Sequence, residues 1–249
     1  MIYVITIVSD NICCRFIYPF LFEQPLSQER IRRNIRAGRQ RGGMDKMMDG
    51  ATIQPIAEGI LESQLQAVSK IGTLLNDPFV AIIEMLEKCR GKVIVSGLGK
   101  SGIIARKMAA TLASTGTPSF FLHAAEALHG DLGMIGPRDV LLVISNSGSS
   151  MEVISLARHA KSFASVTIAM TSNPSSELAV LSDAVLLVPA VMECDHLGLA
   201  PSNSTTVMLV MADIVALTLS RKRGFSTEQF HRSHPGGALG RSLGNDGRT

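Results

Sequence analysis

The sequence contains no tryptophan and only two tyrosines, and aromatic residues make up 4% of the chain. Bases and many sugar rings stack on aromatic side chains, so a chain with so few of them is poorly suited to this mode of recognition. No apolar run approaches the roughly 18 residues that a membrane-spanning helix needs, so we expect no membrane span. The four cysteines (Cys13, Cys14, Cys89 and Cys194) form no C-x-x-C pair, which predicts a reduced, cytoplasmic protein.

Positive charge is concentrated at one end of the chain. Residues 1–43 hold seven arginines against three acidic residues, whereas the remainder has 17 basic and 18 acidic residues. Nucleic-acid or membrane binding would therefore have to reside in the Arg-rich run Glu29–Arg41. We interpret residues 1–43 as an extension that is disordered or not native, with Met44, Met47 or Met48 as alternative starts. Residues 44–249 are expected to form the folded domain.

From residue 52 onward, the chain shows the periodicity of helices and then of alternating strands and helices. Apolar residues recur at helical spacing between Ile53 and Leu75, and a second helix continues from Phe79 to Cys89. Strands are predicted at Val93–Ser96, Ser119–Leu122, Val140–Ser145, Val166–Thr171 and Ala184–Val188. Helices are predicted between them, at Ser101–Ser114, Met151–Ser162 and Ser175–Leu181, and then at Ser202–Lys222. This order predicts an α/β fold with a doubly wound five-stranded parallel sheet flanked by helices.

Two small-residue turns follow neighbouring strands of this predicted sheet. The first is Gly97-Leu98-Gly99-Lys100-Ser101-Gly102, and the second is Ser145-Asn146-Ser147-Gly148-Ser149-Ser150. Ligands of doubly wound sheets bind past the carboxyl ends of the strands. Backbone N–H groups, hydroxyls and helix N-termini at such turns suit a phosphate. The simpler alternatives are a glycine turn needed only for packing and a single capping hydroxyl at Ser149 or Ser150.

Residues near these turns offer acid–base chemistry. Lys100 can stabilise a developing oxyanion, and Glu152 lies at the start of the helix after the second turn. Glu193 follows the fifth strand, and His234 precedes a proline in a Gly-rich segment. The same residues have simpler explanations: a surface lysine, a carboxylate at a helix N-terminus, or a zinc site built from Glu193-Cys194-Asp195-His196 with His231 and His234. His129 is either a cleft residue or a structural hydrogen-bonding group.

Six blocks of sequence resemble the arabinose-5-phosphate isomerases of the sugar isomerase (SIS) superfamily, in the form that lacks CBS repeats. They are Gly97–Ala113, Ser114–Phe121, His129–Met134, Ile144–Gly148, Leu197–Pro201 and Ser233–Arg241, and the resemblance covers roughly residues 50–244. It implies an aldose–ketose isomerase that interconverts D-ribulose 5-phosphate and D-arabinose 5-phosphate and feeds 3-deoxy-D-manno-octulosonate biosynthesis. It also implies a homotetramer with active sites shared between subunits.

The resemblance carries functional positions onto this chain. It implies catalytic roles for Lys100, Glu152, Glu193 and His234, and phosphate binding by Ser101, Ser145, Ser147 and Ser150. Gly99, Asn146 and His129 are further cleft candidates. Isomerisation through a cis-enediol needs a base that moves a proton between C1 and C2, and a carboxylate can do this. Glu152 or Glu193 could serve, and we favour Glu152 for that step. The chemistry requires neither a metal nor an organic cofactor.

The sequence departs from the family pattern near the expected pocket. Glu193-Cys194-Asp195-His196 stands where Glu-Ala-Cys-Pro is usual, Ser149 replaces an acidic residue, and Met151 replaces a serine. A different pentose or tetrose phosphate is therefore a second interpretation. A third is a non-catalytic phosphosugar-binding regulator, which would need only the serines. In each interpretation the protein binds a small sugar phosphate, and we expect it to bind neither nucleic acid nor a membrane.

Overall fold

The computed structural model describes residues 50–164 and 166–235. The prediction for residues 1–43 lies outside the described residues. The helices are α1 (Gly50–Ser69), α2 (Asp77–Glu87), α3 (Gly99–Ser114), α4 (Ala124–Ala127), α5 (Met151–Ala160), α6 (Glu177–Leu181), α7 (Asn203–Lys222) and α8 (Thr227–Ser233). Two 3₁₀ turns lie at Lys70–Leu74 and Asp131–Met134. The strands are β1 (Val93–Gly97), β2 (Ser119–His123), β3 (Val140–Ile144), β4 (Val166–Thr171) and β5 (Ala184–Leu187).

The five described strands form one parallel sheet in the order β2-β1-β3-β4-β5. The predicted doubly wound α/β fold is therefore confirmed. The chain moves outward from β1 to β2 and then returns to the other side of β1 to build β3, β4 and β5. This reversal places the topological switch point between β1 and β3.

Helices cover both faces of the sheet. On one face, α2, α3 and α7 pack with the end of α1 against the side chains of Val93, Val95 and their neighbours. On the other face, α4, α5 and α6 pack against Ile94 and the alternate positions of β3. All five residues of β1 and of β3 are buried, as expected for central strands covered on two sides.

Helix α7 is long and apolar enough, by length and composition alone, to cross a membrane, with a mean hydropathy of 1.4. Half of it is buried inside the domain, where its inner face joins the core beside α3 and α1. It therefore has the placement of a core helix, and the apolar side chains of its inner face belong to the core that it shares with α2 and α3.

The predicted start of one helix was wrong, and the apolar periodicity of another did not indicate burial. Helix α3 begins at Gly99 and not at Ser101, so Lys100 lies in the first helical turn and not in a loop. The periodic apolar residues of α1 do not all face a core: Ile53, Ile56, Ile60, Leu61 and Leu65 are each 40–62% exposed. Among the apolar residues in this part of the chain, Ala67 in the last turns of α1 and the following Ile71 are buried. Periodicity identified this helix, but its partner surface is not provided by the described part of the chain.

Candidate active site

The site lies at the carboxyl ends of β1 and β3. Gly97 and Ile144 are partners in the parallel pairing of these strands, so both small-residue turns leave the sheet at the same level. Each turn leads directly into a helix, α3 after β1 and α5 after β3. Two helix N-termini, each with unpaired backbone N–H groups, therefore flank one position at the switch point.

The glycine turn is shaped partly by packing. A Cβ atom at Gly97 would lie 3.0 Å from the Ile144 carbonyl oxygen, and one at Gly102 would lie 2.9 Å from the Gly97 carbonyl oxygen. Close packing therefore requires glycine at both positions. Gly99 differs, because it has a φ of +57° and open space where a side chain would be. The first turn of α3 is thus close to β3 on one side and open on the other.

A cavity of about 190 Å³ opens between the two turns. Its lining combines polar groups with an apolar base of three side chains. The lining residues are Leu98, Ser101, Ile144, Ser145, Asn146, Ser147, Ser150 and Val153. All four serines that the sequence analysis selected for phosphate binding therefore meet here, and Asn146 joins them.

Local hydrogen bonds leave the hydroxyl protons of two serines available. Ser145 Oγ accepts a hydrogen bond from the Gly148 N–H at 3.2 Å. Ser147 Oγ accepts from the backbone N–H of Ser149 at 3.3 Å and from its hydroxyl at 2.8 Å. An oxygen that accepts these bonds still carries its own proton. Both serines can therefore donate to an anion in the cavity.

The remaining polar groups of the cavity have few partners of their own. Ser150 is the N-cap residue of α5, but its side chain makes no capping hydrogen bond. The Ser101 hydroxyl has only a 4.0 Å contact with the Met208 sulfur atom. The side-chain oxygen of Asn146 is buried without a hydrogen-bond partner in the described structure. A single capping hydroxyl, the simpler explanation of the second turn, does not account for this arrangement.

The serine turn is held in place by the end of β4, which the sequence analysis missed. Thr171 Oγ1 donates to the Asn146 carbonyl oxygen at 2.9 Å, and Ser172 donates to it from both its hydroxyl and its N–H. Gly148 has a φ of +63°, and a Cβ atom there would lie 2.1 Å from Ser176 Oγ. The hydroxyl residues after β4 are the signal that could have identified this support.

Lys100 and Glu152 lie in the first turns of the two helices that flank the cavity. Lys100 is the second residue of α3, and Glu152 is the second residue of α5, directly before the cavity residue Val153. Within the described residues, neither side chain makes a hydrogen bond or an ion pair, and Lys100 is exposed. Both groups are therefore free to act on a bound ligand.

Glu193 is held by hydrogen bonds at the start of α7. Its Oε2 atom accepts from the Ser202 N–H at 2.8 Å, the Ser202 hydroxyl at 3.1 Å and the Ser204 N–H at 3.1 Å. Its Oε1 atom accepts from the Ser204 hydroxyl in a short contact. Partial burial acts to raise the pKa of Glu193, but the hydrogen bonds from Ser204 and Ser202 outweigh it and hold the pKa below its usual value. Glu193 is therefore an ionised carboxylate with one acceptor position left on Oε1.

The two candidate histidines are not in the cavity lining. His234 follows α8, where its Nδ1 atom lies 2.9 Å from the Phe230 carbonyl oxygen and its ring stacks on the Phe230 ring at 3.9 Å. His129 is exposed beyond α4. Among the described residues of this one chain, no contact brings either imidazole to the serine turn.

The alternative zinc site does not assemble in the described part of the chain. No group of three or more His, Cys, Asp or Glu side chains converges there. Asp195 instead accepts backbone hydrogen bonds from Leu197, Leu199 and Ala200 at 2.8–3.1 Å and so closes a turn. Glu193 and Asp195 thus each organise the backbone that follows them.

A hydroxyl-lined cleft between two helix N-termini, at the switch point of a doubly wound parallel sheet, is suited to binding an anionic ligand. The SIS domain family model matches residues 85–218, and the chain belongs to this family. The chain is 46% identical over 198 residues to an arabinose 5-phosphate isomerase KdsD of Escherichia coli K12, covering 80% of this chain and 60% of the relative. It is 48% identical over 187 residues to the KdsD of Pseudomonas aeruginosa, covering 75% and 57%.

A solved structure gives the same fold with a bound sugar phosphate. This E. coli CFT073 protein, in complex with arabinose 5-phosphate, superposes with a TM-score of 0.71 at 43% identity. The match covers 76% of this chain and 100% of the solved one. The curated relatives extend further, since this chain spans about 60% of their length.

Proposed function

We propose that this protein is an aldose–ketose isomerase that interconverts D-ribulose 5-phosphate and D-arabinose 5-phosphate. The observation that carries the proposal is the pairing of an anion-binding serine cavity with an unpaired lysine and an unpaired carboxylate in the helical turns beside it. The likeness to arabinose 5-phosphate isomerases over most of the described residues supports the same substrate pair.

The phosphate group binds in the serine cavity. The hydroxyl protons of Ser145 and Ser147 point to this role because their oxygens already accept other hydrogen bonds. Ser101 and Ser150 add hydroxyls from the first turn of α3 and the start of α5. The two helix N-termini favour a dianion without adding a fixed positive charge that would hold the product too tightly.

Proton transfer then occurs at the sugar carbons. Glu152 removes a proton from C1 of the ketose, and the C2 carbonyl oxygen takes the negative charge of an enediolate. The O1 hydroxyl then loses its proton while O2 gains one, and Glu152 returns its proton to C2 as C1 becomes the aldehyde carbonyl carbon. Lys100 stabilises the negative charge that develops on the C2 oxygen. We assign the transfer to Glu152 because the pKa of Glu193 is held below its usual value by its serine partners, which makes Glu193 a weaker base. Glu193 accepts a hydrogen bond from a substrate hydroxyl at Oε1.

We further propose a homotetramer in which a neighbouring subunit completes each site. His234 has no contact with the cavity of its own chain in the described residues, and it would act on ring opening or on the oxygen protons from a second subunit. Helix α1 supports association, because Ile53, Ile56 and Ile60 are 40–55% exposed. A helix whose first turns contact little of its own domain gains most of its stability from packing against a partner.

Three expectations complete this proposal. Residues 44–249 suffice for the activity, so deletion of residues 1–43 leaves turnover unchanged. The enzyme acts in the cytoplasm on a small sugar phosphate. Its product supplies 3-deoxy-D-manno-octulosonate for lipopolysaccharide biosynthesis.

The test follows deuterium into the product. Purified protein is incubated with D-ribulose 5-phosphate in D₂O, and C2 of the aldose is observed by NMR. Arabinose 5-phosphate with deuterium at C2 is expected, and Glu152→Gln is expected to abolish turnover while retaining phosphosugar binding in calorimetry. Glu84→Gln, a change at an exposed position on α2, is the control that stays active. Tight binding of arabinose 5-phosphate without turnover of any ketose phosphate would instead favour the regulatory phosphosugar-binding function.

A further inference from the structure

Asn203 is a buried amide at the junction of three segments that surround Glu193. It is the first residue of α7 and is only 3% exposed. Ser202 and Ser204, the residues on either side of it, supply the donors to the Glu193 carboxylate. Asn203 therefore lies inside the group of contacts that defines where this carboxylate is held.

The Asn203 side chain connects the segment between β5 and α7 to helix α1. Its Nδ2 atom donates to the Met192 carbonyl oxygen at 2.8 Å and to the Ser63 hydroxyl oxygen at 2.8 Å. A backbone carbonyl can only accept, so the amide nitrogen must face Met192, and the orientation of the amide is fixed. Both protons of the amide nitrogen are used.

These bonds join two short stretches of chain along their length. Residue 192 is bonded to Asn203, the Glu193 carboxylate is bonded to Ser202 and Ser204, and the Cys194 N–H donates to the Ser202 hydroxyl at 3.0 Å. The Asn203 bond fixes the backbone directly before Glu193. Displacement of Met192 would move the carboxylate away from its donors.

The cost of this arrangement identifies its purpose. The Asn203 side-chain oxygen is buried and has no hydrogen-bond partner among the described residues. A buried unsatisfied oxygen is destabilising, so packing alone would favour an apolar or smaller residue at this position. The amide is therefore explained by the two bonds that its nitrogen makes.

We propose that Asn203 is a positioning residue for Glu193, which it holds in register with the first turn of α7 while tying that turn to helix α1. The proposal rests on the proposed function only in assigning Glu193 to the catalytic set. Asn203 does not touch the substrate, and its effect reaches the reaction through the placement of the Glu193 carboxylate. The contact with Ser63 makes this placement depend on α1, the helix whose outer face is exposed.

The first experiment measures the carboxylate directly. The Glu193 carboxyl carbon is titrated by ¹³C NMR in wild type, Asn203→Ala and Asn203→Ser, with the signal assigned by its loss in Glu193→Gln. In wild type we expect a pKa below the usual value for glutamate. In both Asn203 variants we expect the pKa to move upward, because the serine donors no longer meet the carboxylate in register. The serine variant keeps one small donor, so it covers the case in which the alanine variant does not fold.

The second measurement separates positioning from general destabilisation. We expect Asn203→Ala to lower kcat by about ten- to hundredfold, with a change in KM of less than about threefold, because the substitution displaces the Glu193 carboxylate while the serines that line the cavity are unchanged. Gln64→Ala is the matched control. It removes a second side-chain hydrogen bond between α1 and α7 in the described part of the chain, the 3.5 Å bond to Thr206, and leaves Met192 and Glu193 untouched.

Each result decides the proposal. An unchanged Glu193 pKa in a folded Asn203 variant, or an equal loss of kcat in Gln64→Ala, would overturn it. The NMR titration does not depend on turnover. If wild type proves inactive on every ketose phosphate, the isomerase assignment fails, while the titration still shows whether Asn203 positions Glu193.

Discussion

Gly97 and Ile144 lie opposite each other at the ends of two neighbouring parallel strands, and the Ile144 carbonyl oxygen would be 3.0 Å from any Cβ atom at residue 97. This close approach brings the glycine turn and the serine turn to one level at the sheet edge. The cavity between the two turns is therefore a consequence of strand register together with the absence of a side chain at Gly97. A larger residue at Gly97 would push the two turns apart even though it removes no polar group from the cavity.

Loss of the Ser147 hydroxyl tests the anion site. We expect Ser147→Ala to weaken binding of arabinose 5-phosphate by about ten- to hundredfold, because a hydrogen bond to a charged group contributes about 1.5–3 kcal/mol. Calorimetric titration measures the affinity. Ser114→Ala, at the far end of α3, removes a hydroxyl that bonds only within its helix and should bind normally. Equal affinity of Ser147→Ala and wild type would exclude this hydroxyl from the site.

Two glycines with positive φ offer a paired test of backbone strain. Gly148→Ala should lower the free energy of unfolding by at least about 2 kcal/mol, because a left-handed alanine costs about 1–2 kcal/mol and the new methyl group also meets Ser176. Gly99→Ala has a similar φ but open space around it, so about 1 kcal/mol is expected. Urea unfolding compares the two variants. A larger loss at Gly99 would contradict the packing described for the serine turn.

Glu193 should contribute to stability in a pH-dependent manner. Its pKa in the folded protein is lowered below the ordinary value of 4.5, so its contribution is fully present above that value and is lost as the pH falls through the lowered pKa. At pH 7 we expect Glu193→Gln to cost about 1–2 kcal/mol, comparable to the loss of a helix cap. Thermal melts of both proteins from pH 7 to pH 3 should converge at the acidic end. A difference that grows on acidification would have the wrong sign.

The exposed face of α1 predicts a difference in oligomer mass between wild type and a variant of this face. We expect wild type to sediment as a tetramer and the double substitution Ile56→Lys with Ile60→Lys to sediment as a smaller species, because charged ammonium groups would have to be buried at the contact. Val180→Lys, at a 66% exposed position on α6, is the control that should remain tetrameric. A tetramer that survives both lysines on α1 would assign the contact to another surface.

Much of the fold could be predicted from the sequence. The strands β1 and β3 are continuous apolar runs bounded by small-residue turns, and alternation with helical periods is sufficient to predict a parallel sheet. Helix α1 shows where this reasoning fails. Its apolar period is genuine, but a period specifies that a face is apolar and not which surface covers it.

Some features of the site could likewise be predicted from the sequence, and others could not. Three of the serines were predictable because hydroxyls cluster at the end of the buried strand β3, whereas Ser101 was implied by the family resemblance. The structure brings all four to one cavity. The hydrogen-bonded position of the Glu193 carboxylate was not predictable. Its partners Ser202 and Ser204 are nine and eleven residues further along the chain and contact it only after α7 packs. Asn203 gave no signal at all, because an asparagine at a helix start usually indicates a cap.

Helix α7 also has a consequence for synthesis. Its inner side chains complete the core on the face of the sheet that α2 and α3 cover, yet α7 follows all five strands in the sequence. During translation, the core on this face therefore stays incomplete until α7 has left the ribosome. Contacts between such distant parts of a chain form slowly, so the nascent domain depends on protection from aggregation during that interval.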